Sequence, residues 1–370
     1  MKKKILILHD TLDGGGAEKS LLEVLHHLPP ESYDIDFILY LKRGVHLESV
    51  PSHIPIKSIY PKGEKHLFEK VIFHSPFREK YEAHKLHKLI SCSHYDAIIS
   101  FMEGPAAALH RYVMNLTQNN ITWVHIDFTG CHWSKQFFRN LANEKKFYES
   151  VNHIVFVSKD AMNKFIYDVP TPRHLIYNMV NTEEIIKNAD KFQVEKRNFT
   201  VSFIGRLVPH KHPERLLHAI EILKRNGTTV DGWILGQGEL KEKLQTTAKE
   251  LGISNQITFW GFQNNPYPFI KASDILCITS DAEGLPIVVQ ESMTLGTAII
   301  STRCAGMTEA IGDDCGILCD NNPESFAEEI SRLISSPQLK ERIFENAKKK
   351  MEMFSTPVIT RQIESLINNH

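Results

Sequence analysis

The chain has no apolar run near the roughly 18–20 residues that a membrane-spanning helix needs. It has no surplus of one charge: its 370 residues carry 43 Lys and Arg against 44 Asp and Glu, a net charge of −1. That balance removes the global case for a nucleic acid partner. Cysteine is scarce, with six residues (Cys92, Cys131, Cys277, Cys304, Cys315 and Cys319) scattered along the sequence. Cys315 and Cys319 have loose metal spacing, but no second Cys or His pair lies near them, so no zinc site is expected. The basic head Met1 to Lys4 precedes only a short apolar segment, followed by Asp10, Asp13 and a glycine cluster. It reads as a buried first strand, not a signal peptide. Free thiols in a reducing cytosol are therefore expected, with the inner membrane face as a further location.

Two metal or cofactor signatures are also missing. Gly14-Gly15-Gly16 lacks the Gly-x-Gly-x-x-Gly spacing of a dinucleotide site. Asp34 and Asp36 form a literal Asp-x-Asp, but they precede the apolar run 37–41 instead of following it. A solvated strand entry is expected there. No metal and no cofactor is predicted.

What is present is unevenly placed. Fifteen of the 19 histidines precede residue 175. Segment 57–88 carries Lys57, Lys62, Lys65, Lys70, Arg78, Lys80, Lys85 and Lys88 against Glu64, Glu69, Glu79 and Glu82. Leu67, Phe68, Val71, Ile72, Phe73, Phe77 and Tyr81 interleave with these cations. One reading is a packed helix with a solvated basic face. The other is a surface that docks on anionic lipid.

Apolar strand runs alternate with helical patterns along the whole chain. Strands are expected at 4–8, 34–41, 96–101, 122–126 and 153–158, and a helix at 18–28. The pattern restarts with strands at 200–205, 230–236, 256–261, 274–279 and 297–302. Such alternation predicts an α/β protein with two doubly wound, mostly parallel Rossmann-like sheets. Segment 177–197 reads as the connection between them. The expected domains are 1–178, joined by a carboxyl-terminal helix 354–370, and 179–353. Ligands in such sheets sit beyond the carboxyl ends of the strands, and the motifs fall there.

At one strand end, Gly205 is followed by Arg206 and Lys211, with a helix opening at Pro213. Two cations beside a helix start suit an oxyanion. At another, Glu283 and Gly284 precede Leu285, Pro286 and a helix that carries Glu291. The first N–H groups of that helix can face an anion or hydroxyl. Glu291 lies among Val288, Val289 and Met293, so its carboxyl is expected to be buried and to need a partner.

These two motifs, in this order, resemble the retaining glycosyltransferases of family 4, which have the GT-B fold. The pattern Glu283–seven residues–Glu291 and the pattern Gly205-Arg206-Leu207…Lys211 carry the resemblance. Further matches are Gly14 to Glu18, His125, Gly236 and Gly238, Phe259 to Phe262, and Ala305 to Glu309 in the loop after the next strand. The resemblance implies two Rossmann-like domains facing across a cleft, with the first domain on the acceptor side and the second binding the nucleotide sugar. It implies Arg206, Lys211, Glu283 and His125 as the catalytic set. Donor binding would fall to Gly15, Gly16, Gly205, Gly236, Trp260, Phe262, Gly284, Leu285, Pro286 and Glu291. Arg206 and Lys211 would hold the diphosphate, Glu283 the hexose, Glu291 the ribose, and His125 the sugar near its 6-hydroxyl. No nucleophile is evident on the sugar's other face; Asp127 is the one nearby carboxylate. His212 stands where glycine often follows the phosphate lysine.

The expected activity is metal-independent transfer of a hexose or N-acetylhexosamine from a UDP-sugar to a glycan or lipid-linked glycan acceptor, as in bacterial surface polysaccharide assembly. The alternatives are a same-fold nucleotide-sugar epimerase or sugar-phosphate synthase, and a non-catalytic nucleotide-sugar binding module.

Overall fold

The computed structural model describes residues 2–61, 75, 77–130, 132–281, 283 and 285–368. The chain divides into two compact units. The first comprises Met1–Met179 with Thr356–His370, and the second Val180–Ser355.

In the first unit the described strands are β1 (Lys3–His9), β2 (Tyr33–Leu41), β3 (Ile56–Tyr60), β4 (Ala97–Ser100), β5 (Asn120–Val124), β6 (His153–Phe156) and β7 (Arg173–Leu175). They form one parallel sheet in the order β3-β2-β1-β4-β5-β6-β7. The second unit holds β8 (Thr200–Ile204), β9 (Asp231–Leu235), β10 (Ile257–Gly261), β11 (Ile275–Ile278), β12 (Ala298–Thr302) and β13 (Ile317–Cys319). These are again parallel, in the order β10-β9-β8-β11-β12-β13.

Central strands such as Ile5 to Leu8 and Ile275 to Ile278 are apolar at every position because helices cover both faces of a parallel sheet. Ile5 and Ile7 join one core cluster, while Leu6 and Leu8 join another. The strands missing from the sequence reading are β3, β7 and β13. Two are edge strands of three residues, and none offers a long apolar run. Edge strands bury one side at most, so their hydrophobic signal is weak.

The last helix, Thr356–Asn368, buries Ile359, Ile363, Leu366 and Ile367 in the first unit's core. Their i, i+4, i+7, i+8 spacing is one helical stripe. Asn119 Nδ2 donates to the Leu366 carbonyl at 2.9 Å and fastens the end of that helix. The expected connection 177–197 contains a bridge and a helix. Val180 bridges to Ser355, and the helix Thr182–Ala189 packs on the helices Tyr267–Ala272 and Ile287–Leu295. Residues 305–309, expected in a loop, open the helix Ala305–Ile311 instead.

Of the basic segment 57–88, residues 62–74 and 76 lie outside the described residues. Three of its other cations have internal partners. Lys57 bonds Asp36 at 2.7 Å, Arg78 donates to the Phe137 carbonyl at 2.6 Å, and Lys85 donates to the Ile59 carbonyl at 3.0 Å. No helix among the described residues is long and apolar enough to cross a membrane.

The reading of Asp34 and Asp36 needs correction. Asp34 is solvated and pairs with Lys4, but Asp36 is only 4% exposed. Its carboxylate accepts from Lys57, from the Ser91 hydroxyl and N–H, and from the Tyr95 hydroxyl at 2.5 Å. Burial pushes this carboxyl up, but those donors outweigh it and hold it at about 2. Asp36 is a buried pin between β2, β3 and the segment entering β4. A carboxyl held below its ordinary value of 3.8 contributes stability above that pH and loses it as the pH falls towards 2. Asp36→Asn is expected to cost about 1–2 kcal/mol near pH 7, allowing for screening at the partly exposed Lys57. Urea denaturation from pH 7 down to pH 3 checks this: the gap from wild type narrows below pH 4.

Candidate active site

In each sheet the chain runs outward in one direction from the first strand and in the other from the fourth. β1 and β4 are neighbours in the first sheet, and β8 and β11 in the second. Where the strand order reverses, the loops leaving the two strands diverge and open a crevice at the carboxyl edge. The second sheet's reversal carries the two motifs: Arg206 and Lys211 follow β8, and Glu283 follows β11.

The two loops touch. Lys211 Nζ contacts Glu283 Oε1, and the Ser280 hydroxyl donates to the same oxygen at 2.5 Å. Thr279 Oγ1 donates to the Lys211 carbonyl at 2.7 Å. Arg206 is exposed at the edge and Lys211 is half-buried. Their combined charge is felt by His210: burial first, then Lys211 and Arg206, lower its ring. The helix Ile287–Leu295 begins after Pro286 and buries Glu291 to 2% exposure. Gly284 lies outside the described residues. Leu285 is buried, 4% exposed.

The glycines divide by cause. Gly236 has φ +136°, and a Cβ there would fall 1.9 Å from the Gly205 carbonyl oxygen. Its N–H donates to the Gly261 carbonyl at 2.8 Å. Gly236 therefore locks the loop after β9 against the loop that carries Arg206, so the fold itself requires it. Gly205 differs: a Cβ there would meet only the Phe203 ring at 3.8 Å, an ordinary contact. Trp260 sits at a register shift in β10 and packs edge-on against Trp233 and Phe269. It remains 37% exposed, and Phe262 39%.

In the first unit, Gly15 caps and Gly16 opens the helix Gly16–His27, in the loop after β1. His125 follows β5. Its ring Nε2 stands 3.1 Å from the Phe101 carbonyl, which only accepts, so Nε2 carries the proton and Nδ1 is the acceptor. Burial lowers the ring to about 4, with the Phe101 carbonyl opposing. It is neutral at physiological pH and suited to accept from a hydroxyl, not to supply charge. Asp127 is committed elsewhere: it accepts from the Thr129 N–H and hydroxyl, the Gly130 N–H, and Lys164 at 2.9 Å.

Comparison with known proteins decides the family. Residues 14–184 match Glycosyltransferase Family 4, and residues 184–350 match Glycosyl transferases group 1. The chain belongs to the group 1, family 4-like glycosyltransferases, with the GT-B fold. It is 25% identical over 352 residues to an uncharacterized glycosyltransferase of Haemophilus influenzae, covering 92% of each chain. It is 29% identical over 195 residues to an N-acetylgalactosaminyltransferase of Campylobacter jejuni that acts on a diphospho-undecaprenol-linked sugar, covering 52% of each. Its fold matches Anabaena HepE in complex with UDP, with TM-score 0.79, 19% identity and full coverage of both chains. It also matches sucrose-phosphate synthase of Thermosynechococcus elongatus, with TM-score 0.78, 13% identity and coverage of 99% and 98%.

This glycosyltransferase has a group at the first sheet's reversal that the sequence reading passed over. Glu103 follows β4 and is fully buried. Its oxygens accept from the His125 N–H at 2.9 Å and the Trp133 indole at 3.2 Å. Trp133 lies so close over Gly104 that a Cβ there would sit 2.4 Å from its ring. Glu144, also buried, holds the same loop through His132 at 2.8 Å and Ser134 at 2.6 Å. Burial raises Glu103, and it raises the nearby Asp10 further. The signal was available: Glu103-Gly104-Pro105 after a strand resembles Glu283-Gly284-Leu285-Pro286. For Gly236→Ala, strain and the backbone clash predict a loss of about 3 kcal/mol or more. Thermal denaturation at an unchanged midpoint would contradict that assignment.

Proposed function

We propose that the enzyme transfers a hexose or N-acetylhexosamine from a UDP-sugar to a glycan or lipid-linked glycan acceptor. Transfer proceeds with retained configuration and without a metal ion, as in bacterial surface polysaccharide assembly. The observation that supports this best is the contact of Lys211 with Glu283 at the second sheet's strand reversal, beside Arg206. It sets fixed cations next to a hydrogen-bonding carboxylate at a strand edge suited to a phosphorylated ligand.

Breaking the bond between the sugar's anomeric carbon and the phosphate oxygen leaves negative charge on the nucleoside diphosphate. Arg206 and Lys211 neutralise it as it forms, where other transferases use a bound divalent ion. Glu283, held by Ser280, accepts from sugar hydroxyls, and Glu291 accepts from the ribose. His125 accepts from a hydroxyl through Nδ1. The acceptor hydroxyl attacks on the face the leaving group vacates and passes its proton to the departing phosphate oxygen, which retains configuration. The UDP and UDP-glucose complexes of HepE favour uridine as the base. The undecaprenol-linked acceptor of the Campylobacter relative favours a lipid-linked glycan. Such an acceptor would place the enzyme at the inner membrane face.

Incubation with UDP-, GDP- and ADP-sugars, with the product's anomeric configuration read by NMR, tests this directly. One nucleotide class supports transfer, and chelator leaves the rate unchanged. Inverted product or chelator-sensitive transfer would overturn the corresponding part. Lys211→Ala is expected to lower kcat by about 10²–10³, and Glu291→Ala to raise the donor KM with a smaller change in kcat.

A further inference from the structure

The loop after β8 turns through His212 at φ 46° and ψ 48°. Among the described residues it is the one non-glycine with φ in the left-handed region. An L side chain there crowds its own backbone, so it persists only where other contacts over-determine the turn. Those contacts are present. His212 Nε2 meets Asp281 Oδ2 at 2.6 Å, and Nδ1 meets Glu214 Oε1 at 2.8 Å.

Asp281 is a hub. Its other oxygen accepts from Arg215 at 2.8 Å and from Asn321 at 2.7 Å, and its N–H donates to the His210 carbonyl at 3.1 Å. Burial raises this carboxyl, but Asn321, Arg215 and His212 outweigh it and hold it at about 2. Arg215 also donates to the Thr279 carbonyl at 2.6 Å. The hub therefore fixes the start of the loop after β11, and His212 ties that loop to the loop after β8. The residue preceding His212 is Lys211. Two residues beyond Asp281 lies Glu283, the group Lys211 touches.

We propose that His212 is a positioning residue: with Asp281 it tethers the loop of Lys211 to the loop of Glu283, so that both meet one nucleoside diphosphate sugar. A glycine would adopt the same turn without strain but would carry no tether. This rests on the donor-site reading above, and the test separates the two.

The full chain is titrated calorimetrically with UDP, GDP and ADP, and the tightest ligand is carried forward to Lys211→Ala, His212→Gly and His212→Gln. His212→Gly is expected to weaken binding about tenfold with a melting temperature equal to or above wild type. His212→Gln carries an amide N–H to about the reach of the imidazole Nε2, the atom that meets Asp281, so it recovers part of the loss. If Lys211→Ala weakens binding while His212→Gly binds within twofold of wild type, the tether is overturned and the donor site stands. If His212→Gly loses affinity only together with its melting temperature, and His212→Gln does not restore either, the role is structural and the proposal fails. If no nucleotide binds, or Lys211→Ala binds like wild type, the donor-site reading falls and the tether with it.

Discussion

A parallel sheet whose strand order reverses cannot close its carboxyl edge at the reversal, because the loops leaving the two central strands must run to opposite sides. This constraint operates twice in the chain, between β1 and β4 and between β8 and β11. Most of what has chemical interest follows from it. Polar groups gather at these points: Asp10, Glu103 and His125 in one unit, Lys211, Glu283 and the exposed Asp281 in the other. Elsewhere packing on both sheets is mainly apolar, with Asp36 a buried exception.

The two crevices are built differently. In the second unit the loops are stitched by ions and hydrogen bonds: Lys211 to Glu283, His212 to Asp281, and Thr279 to the Lys211 carbonyl. Backbone contact adds to this, with Gly236 pressed on Gly205. In the first unit two buried carboxyl groups, Glu103 and Glu144, hold the 125–139 segment through a backbone N–H, an indole, an imidazole and a hydroxyl. The second unit's arrangement presents Arg206 and Lys211, and the first unit's presents the neutral His125 ring.

Group 1 glycosyltransferase membership rests on both halves of the chain, since the two family matches meet at residue 184. Likeness to a UDP-bound protein and to sucrose-phosphate synthase at under 20% identity reflects a shared fold, and folds of this kind host many chemistries. Donor and acceptor are therefore matters for the site residues and for experiment.

The sequence alone determined the fold class, the restart of the strand pattern near residue 200, and the strand ends where Arg206, Lys211, Glu283 and Glu291 lie. Central strands and amphipathic helices announce themselves by periodicity, and motifs at strand ends have fixed spacing. Tertiary structure alone decided which polar residues are pins. Asp36 reads in sequence as a solvated strand entry, but it is buried by Lys57, Ser91 and Tyr95, none of them its neighbour in the chain. Asp127 reads as a spare carboxylate until Lys164 occupies it. Glu103 and Asp281 went unassigned because their partners come from other strands and loops. A side chain's partner is set by long-range contact, which spacing along one strand does not encode.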